Sequence, residues 1–337
     1  MPDYNRRLGA YSQALRVCES VIAQVVQDDR RLKLPVRFDE MHRLQRVFFT
    51  TATLRTLISP QGILGAIQDY WHAVEVAIRP PPPYADEHCY NMRDLVVATC
   101  VAGFMISASS NGPVPDEIVQ SLSLEGQPTF QELMHNPPLD LLRLVHASGD
   151  RVVNALLNYG GGVLPTLLLL PDQIMHLPMV LFPFSVGVSP AICMRNEQTG
   201  LLDPPAEGTR QKTNLMTSTV LLTLAKRLQD ESPANSPLPG LGGNINVSVS
   251  LVILLYYLAL SLSPSPSTYN NLGILLCALS NSRTIRNTQG QKNLLNGPTL
   301  ARFYYQAGLR IDPNHPHLLT NLGSLLKDQG RVEEAIE

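Results

Sequence analysis

Charge is scarce in this chain, and neither sign prevails. Only 16% of its 337 residues are Asp, Glu, Lys or Arg, and the formal net charge is -2. Such a balance supplies no basic field for nucleic acid and no acidic tail. Cysteine is also sparse. Cys18, Cys89, Cys100, Cys193 and Cys277 are odd in number and scattered, without a CxxC or a Cys/His pair at metal-ligand spacing. This excludes a disulfide framework and points to reduced, buried thiols in the cytosol or nucleus. The opening "MPDYNRRLGAY" has no apolar core and does not read as a signal peptide.

The motifs of common catalysis are missing as well. There is no GxSxG, HExxH, HRD or GxGxxG in a strand–turn–helix setting. Gly160-Gly161-Gly162 is not followed by Lys-Ser/Thr, so it reads as a helix C-cap and turn, not a phosphate loop. His42 and His72 fall in expected helices, packed or exposed. His315 and His317 flank Pro316, but a metal site usually needs at least three ligands. The glycosylation sequon at Asn246 falls inside an expected buried helix and reads as chance. Glu333-Glu334 reads as a solvated helix face. No catalytic, cofactor-binding or metal-binding residue is assigned.

What the chain does contain is a spacing. Leu319-x2-Leu322-Gly323-x2-Leu326 fits the first helix of a tetratricopeptide (TPR) repeat, Gly330-Arg331 the turn, and Ala335 the small-residue slot of the second helix. Tyr269-x2-Leu272-Gly273-x2-Leu276 repeats the first helix, and Ala301-x3-Tyr305 with Pro313 supplies the second. Glycine and alanine let antiparallel helices approach, while leucines recur at helical spacing on the packed face. Tyr256, Ala259, Leu260 and Pro264 give a partial third copy. Ala66-x3-Tyr70 before Pro80 looks like a degenerate one, and Gly9 and Ala14 copy the interval of Gly330 and Ala335. The expected fold is therefore all-α, a TPR-like α-solenoid of antiparallel helix pairs with a non-repeat helical middle.

Three regions follow. Residues 1–80 read as degenerate TPR-like helices at about 8–28, 39–58 and 62–79, closed by the rigid tract Pro80–Pro83. Residues 85–210 show no repeat but keep helical periodicity at 87–108 and 139–159, with 201–212 expected as an exposed loop. Residues 213–337 form the TPR array, in which 215–230 can pair with 245–262 across a Pro/Gly/Ser linker. From Gly273 to Pro313 is 40 residues, whereas a standard unit needs roughly 24 there. A polar loop is thus inserted near 281–297, where it either binds or is merely tolerated. The final repeat breaks off in its second helix, so the chain is expected to be truncated there.

Two apolar stretches invite a membrane reading. "INVSVSLVILLYYLALSL" (245–262) has no charge over 18 residues, near the minimum for a bilayer span. Its repeat-slot residues favour a buried second helix instead. The stretch 160–184 is broken by Pro165, Pro171, Pro178 and Pro183, as suits short buried helices and turns. No membrane partner is expected.

Asn271 and Asn321 share one slot, two residues before each repeat's glycine. An asparagine amide both donates and accepts. Repeated once per unit, it would form a ladder holding an extended peptide backbone without reading its sequence; the plainer alternative is that it caps or solvates the first helix.

"YNNLGILL", "HPHLLTNLGSLLKDQGRVEEAI" and "NPPLDLLRLVHASGDRVVNALLNYGGGVLPTLLLLP" together resemble fungal O-GlcNAc transferase-like proteins. In that family, TPR arrays precede a domain that moves N-acetylglucosamine from UDP-GlcNAc to Ser/Thr of nuclear and cytoplasmic proteins. The resemblance implies that Asn271 and Asn321 match asparagines lining the family's superhelix. It carries over no catalytic or UDP-binding position. The expectation is a substrate-recruiting TPR segment lacking the catalytic domain, with UDP-GlcNAc the donor of a parent enzyme and no cofactor held here. The alternative is a non-enzymatic TPR scaffold or adaptor. Either would bind protein or peptide in its groove, in cytoplasm or nucleus, and self-association as a homo-oligomer is compatible with both.

Overall fold

A computed structural model describes residues 2–32, 38–59, 61–78, 92–109, 167–177, 207–231, 248–279, 282–286 and 292–336. The chain opens with helices α1 (Pro2–Leu32), α2 (Phe38–Ile58), α3 (Ile63–Ile78) and α4 (Met92–Ser109). A single turn, α5 (Pro171–Ile174), is followed by α6 (Glu207–Glu231), α7 (Val249–Leu262) and α8 (Pro266–Cys277). Strands β1 (Ser282–Arg286) and β2 (Lys292–Asn296) lead into α9 (Gly297–Ile311), α10 (Pro316–Asp328) and α11 (Val332–Ile336).

Local chemistry sets the helix starts. Ser265 caps α8 by accepting from the Thr268 N–H, Asn296 caps α9 through Thr299, and His315 caps α10 through Leu318. Each cap is followed by proline within the first two helical positions. That residue needs no N–H bond there, and its fixed φ suits a helix. Gly330 (φ 76°) turns the chain between α10 and α11, and Gly62 (φ 56°) between α2 and α3, in the left-handed region glycine enters freely.

Helices pair in sequence, α2 with α3, α6 with α7, α8 with α9, and α10 with α11. Successive pairs touch through α3–α6, α7–α8 and α9–α10, so the stack is continuous and the fold is an all-α, TPR-like solenoid. Polar contacts cross the joints. Arg55 on α2 reaches Glu19 on α1 at 2.7 Å and Asp69 on α3 at 2.8 Å. Gln45 donates to Thr217 at 2.6 Å, and Glu231 at the end of α6 accepts the Ile63 N–H that opens α3. One core runs from Leu44 to Leu325.

The described parts of the middle region pack onto this stack along one side. Helix α4 touches α3 and α7, while α5 touches α7, α9 and α4. All three partners in the stack are second helices, so the excursion roofs the second-helix face. Beneath it, α7 is buried at every residue from Ser250 to Ser261. A helix apolar on all sides needs cover on all sides. At 14 residues, α7 spans about 21 Å, short of a bilayer core of about 30 Å. No helix among the described residues is long and apolar enough to cross a membrane.

The roof brings an irregular backbone segment, Leu167–Leu170, into this apolar layer. Two tyrosines satisfy it. Tyr257 on α7 donates to the Leu167 carbonyl (2.8 Å) and accepts the Leu169 N–H (3.2 Å), while Tyr304 on α9 donates to the Leu169 carbonyl (2.9 Å). The rings stack with centroids 6.2 Å apart. Burial pushes the Tyr304 hydroxyl well above its ordinary pKa, keeping the proton it donates.

Four expectations change. Residues 207–212, expected in an exposed loop, belong to α6: buried Thr213 and Thr217 extend backward the face of Val220, Leu224 and Leu228, and threonine disguised that period. Helix α6 also crosses the boundary expected between 210 and 213. Gly9 lies inside α1 with open space around it, so its interval to Ala14 marks no turn. The inserted segment near 281–297 holds an antiparallel hairpin with Ser282 opposite Asn296 and Arg286 opposite Lys292. The helix expected over 139–159, Gly160–Gly162 and Asn246 lie outside the described residues.

Close approach in the array is set by glycine. A Cβ on Gly273 would lie 2.7 Å from Tyr305 Cδ1 and Cζ, and one on Gly308 would lie 2.6 Å from Leu318 Cδ1. At Gly323 the nearest atom is 3.6 Å away. We expect Gly273→Ala to destabilise by about 1–3 kcal/mol and Gly323→Ala to be neutral or to stabilise by up to about 1 kcal/mol through helix propensity. Urea melts of both variants check this; equal effects would contradict the packing difference.

The tyrosine pair gives a second expectation. Tyr304→Phe strands the buried Leu169 carbonyl, at about 1–3 kcal/mol, whereas Tyr257→Phe should cost less because the Leu167 carbonyl still accepts the Leu169 N–H at 3.0 Å. Amide hydrogen exchange at Leu169 should accelerate in Tyr257→Phe, while exchange within α10 stays unchanged. A uniform acceleration would show that the contact is not local.

Candidate functional site

Among the described residues, α4 and α5 make their main contacts in the stack with second helices, which leaves the first helices as the candidate partner surface. On α8, Gly273 faces Tyr305 of the second helix α9. Asn271, two residues earlier, projects about 200° away around the helix axis. Asn321 occupies the same place on α10 relative to Gly323. The first helices α8 and α10 are in contact, so the two slots are neighbours. Both asparagines are half-buried, and the next turn of each helix adds exposed Ile274 and Ser324 to the face.

The two slots are not equivalent. Among the described residues the Asn271 side chain has no hydrogen bond, whereas Asn321 Nδ2 donates to Asn270 Oδ1 at 2.7 Å. Asn270 is buried on α8 at the joint between repeats. The position equivalent to Asn270 in the next repeat is Thr320, which bonds instead to the Pro316 carbonyl of its own helix at 2.9 Å. Asn270 was not singled out from sequence; its signal is the doubled asparagine of "YNNLG", of which only the second lies in the repeating slot.

Other candidates resolve into structural roles. The ring of His315 serves as the α10 cap, and its centroid is 5.9 Å from that of His317. Among the described residues no group of three or more His, Cys, Asp or Glu could hold a metal ion. Cys100 is buried and Cys277, half-buried, lies 3.7 Å from the Tyr305 hydroxyl; burial raises both thiols. His42 is half-buried, and its pKa is lowered by burial and by Arg46 and Lys212.

His72 has a defined partner. Its Nδ1 lies 2.7 Å from Glu75 Oε2, and the other carboxylate oxygen accepts the Met92 N–H that opens α4. The Glu75 hydrogen bond raises the His72 pKa, against an opposing burial effect. A raised value in the folded state contributes stability in full below the unfolded value of about 6.5. That contribution is lost as pH climbs through the folded value. His72→Gln should therefore narrow the gap to wild type in urea midpoint from about pH 5.5 to about pH 9. The whole effect is small because the imidazole is half exposed. A gap independent of pH would contradict the linkage.

A family model of the tetratricopeptide repeat matches residues 304–337, from the middle of α9 to the end of α11. No curated protein matches the chain. The match covers the segment where repeat spacing is most regular, and a tetratricopeptide repeat supports a protein-interaction role.

Proposed function

We propose that the first-helix face around Asn271 and Asn321 binds extended segments of protein partners, and that those partners are substrates for transfer of N-acetylglucosamine to Ser/Thr. The observation that carries the binding reading is the placement of two asparagine amides, with Ile274 and Ser324 beside them, on adjacent first helices opposite the roofed face. Asparagine matches the peptide unit as both donor and acceptor, while exposed Ile274 offers an apolar contact to a partner side chain. The substrate class rests on the resemblance of "YNNLGILL" and "HPHLLTNLGSLLKDQGRVEEAI" to O-GlcNAc transferase-like proteins, in which UDP-GlcNAc is the donor. Cytoplasmic or nuclear residence belongs to the same proposal. A scaffold or adaptor without glycosyl transfer would use the same face.

Synthetic Ser/Thr-rich peptides, tested in extended form against the purified chain, separate these outcomes. Asn271→Ala with Asn321→Ala should weaken binding about tenfold, for two hydrogen bonds of roughly 0.5–1.5 kcal/mol each, with helical circular dichroism unchanged. Unchanged binding by a folded double variant would remove the face from the mechanism. The chain alone is expected to leave UDP-GlcNAc intact; turnover would place catalytic chemistry within it. Binding with no preference for Ser/Thr-containing peptides would favour the scaffold.

A further inference from the structure

We propose that the β1–β2 hairpin is a second docking surface, which takes an acidic extended segment of a protein partner as a third strand along β1. It is separate from the asparagine face and does not depend on the peptide-binding reading given above. The two strands form a sheet of their own, antiparallel and five residues long each. Such a ribbon is only marginally stable by itself. Among the described elements β2 has extended contact with β1 and with α9, which follows it directly, whereas β1 has extended contact with β2 alone. No described strand pairs with the far edge of β1. An edge of this kind presents a row of backbone N–H and C=O groups to another chain.

Charge selects the occupant. From Ser232 to Ile311 the chain has no Asp or Glu, and three of the five Lys or Arg in that stretch, Arg283, Arg286 and Lys292, fall in the hairpin. The register sets Arg286 directly opposite Lys292, and a like-charge pair in that relation destabilises a ladder. Negative charge added along β1 offsets the repulsion. A second copy of the hairpin would instead bring the same cations together, which disfavours self-pairing. Nucleic acid is disfavoured because the net charge of -2 gives no wider basic field to hold its backbone. Register also sets the spacing in the partner. A strand laid along β1 places one residue opposite Arg283 and another opposite Arg286, three positions apart. Successive strand residues alternate faces, so the two arginines belong to opposite faces of the ribbon. The fitting segment therefore carries Asp or Glu at i and i+3, one for each face.

The test uses the full chain and short extended peptides of threonine and valine that carry two glutamates. Glutamates three positions apart should bind about threefold to fivefold tighter than glutamates two or four apart, the size of one cross-strand pair. Backbone amides of β1 should exchange more slowly in that complex. Arg283→Glu with Arg286→Glu should weaken binding about tenfold, since two attractive pairs become repulsive. Lysine in place of both peptide glutamates should restore binding to that variant, which a merely unfolded hairpin could not do. If the variant does not fold, the spacing series and the exchange of β1 in wild type decide. No binding of any glutamate peptide, equal binding at every spacing, or unchanged exchange in β1 overturns strand addition. Tighter binding of a single-stranded DNA oligomer with the same arginine dependence, or a dimer of the chain that the double substitution dissolves, overturns the choice of occupant.

Discussion

Helix α7 has no polar side, and the architecture follows from covering it. Its run from Ser250 to Ser261 is buried throughout. Each large apolar side chain removed from water contributes about 1.5–3 kcal/mol, so an exposed flank would forfeit much of that gain. The partner helix α6 covers one side and α8 of the next repeat another. A repeat array alone leaves the outer side of a second helix open to solvent. Here that side is closed by α4 and the segment around α5, drawn from the non-repeat middle of the chain. The described parts of the middle region, α4 and the segment around α5, are therefore an outer layer over the second helices.

That layer creates its own cost. A roof with an irregular segment brings backbone amides and carbonyls into an apolar environment, where each unpaired group costs about as much as a lost hydrogen bond. Phenylalanine at 304 would fill the same volume and leave the Leu169 carbonyl unpaired, and at 257 it would leave the Leu167 carbonyl only the Leu169 N–H. Tyrosine supplies the volume and the missing partner together. The two rings sit on consecutive second helices, so their bonds to one strap also tie α7 to α9 across a repeat joint. Gly103 on α4 faces the same strap, where a Cβ would make ordinary van der Waals contact with the Leu167 and Leu169 side chains.

How far this could be read from sequence depended on whether a residue's role is local. The repeat slots were legible because Gly273, Ala301 and Tyr305 act at fixed offsets within one unit. The limits of α2 and α3 came out within a residue or two of the expected 39–58 and 62–79 for the same reason, since apolar period and glycine turn are local signals. Thr213 and Thr217 hid the start of α6, being polar by composition yet buried by position. Gly9 misled in the opposite sense: its interval was right, but a turn depends on φ, which an interval does not encode. The roof was illegible because Tyr257 meets Leu167 across 90 positions, with no period to announce the contact. At the candidate site the slots of Asn271 and Asn321 could be read, but the bond from Asn321 to Asn270 could not. It depends on how two helices dock, not on either helix alone.

The hairpin between α8 and α9 illustrates why a repeat can tolerate so large an insertion. In a regular unit a short turn carries the second helix back along the first. Here the two helices meet closely although a hairpin intervenes, because the contact is enforced by Gly273 against the Tyr305 ring. The re-entry point is equally constrained. A Cβ on Gly297 would clash with the carbonyl oxygen of Leu276 and lie 2.7 Å from that of Leu279, so α9 begins directly against the end of α8. Pairing of Ser282 with Asn296 brings the ends of the insertion together before α9 starts. Closing a longer loop costs only a slowly growing entropy, and the antiparallel ladder returns part of it as backbone hydrogen bonds. Side-chain complementarity between the helices thus fixes the repeat, which frees the connection to vary in length.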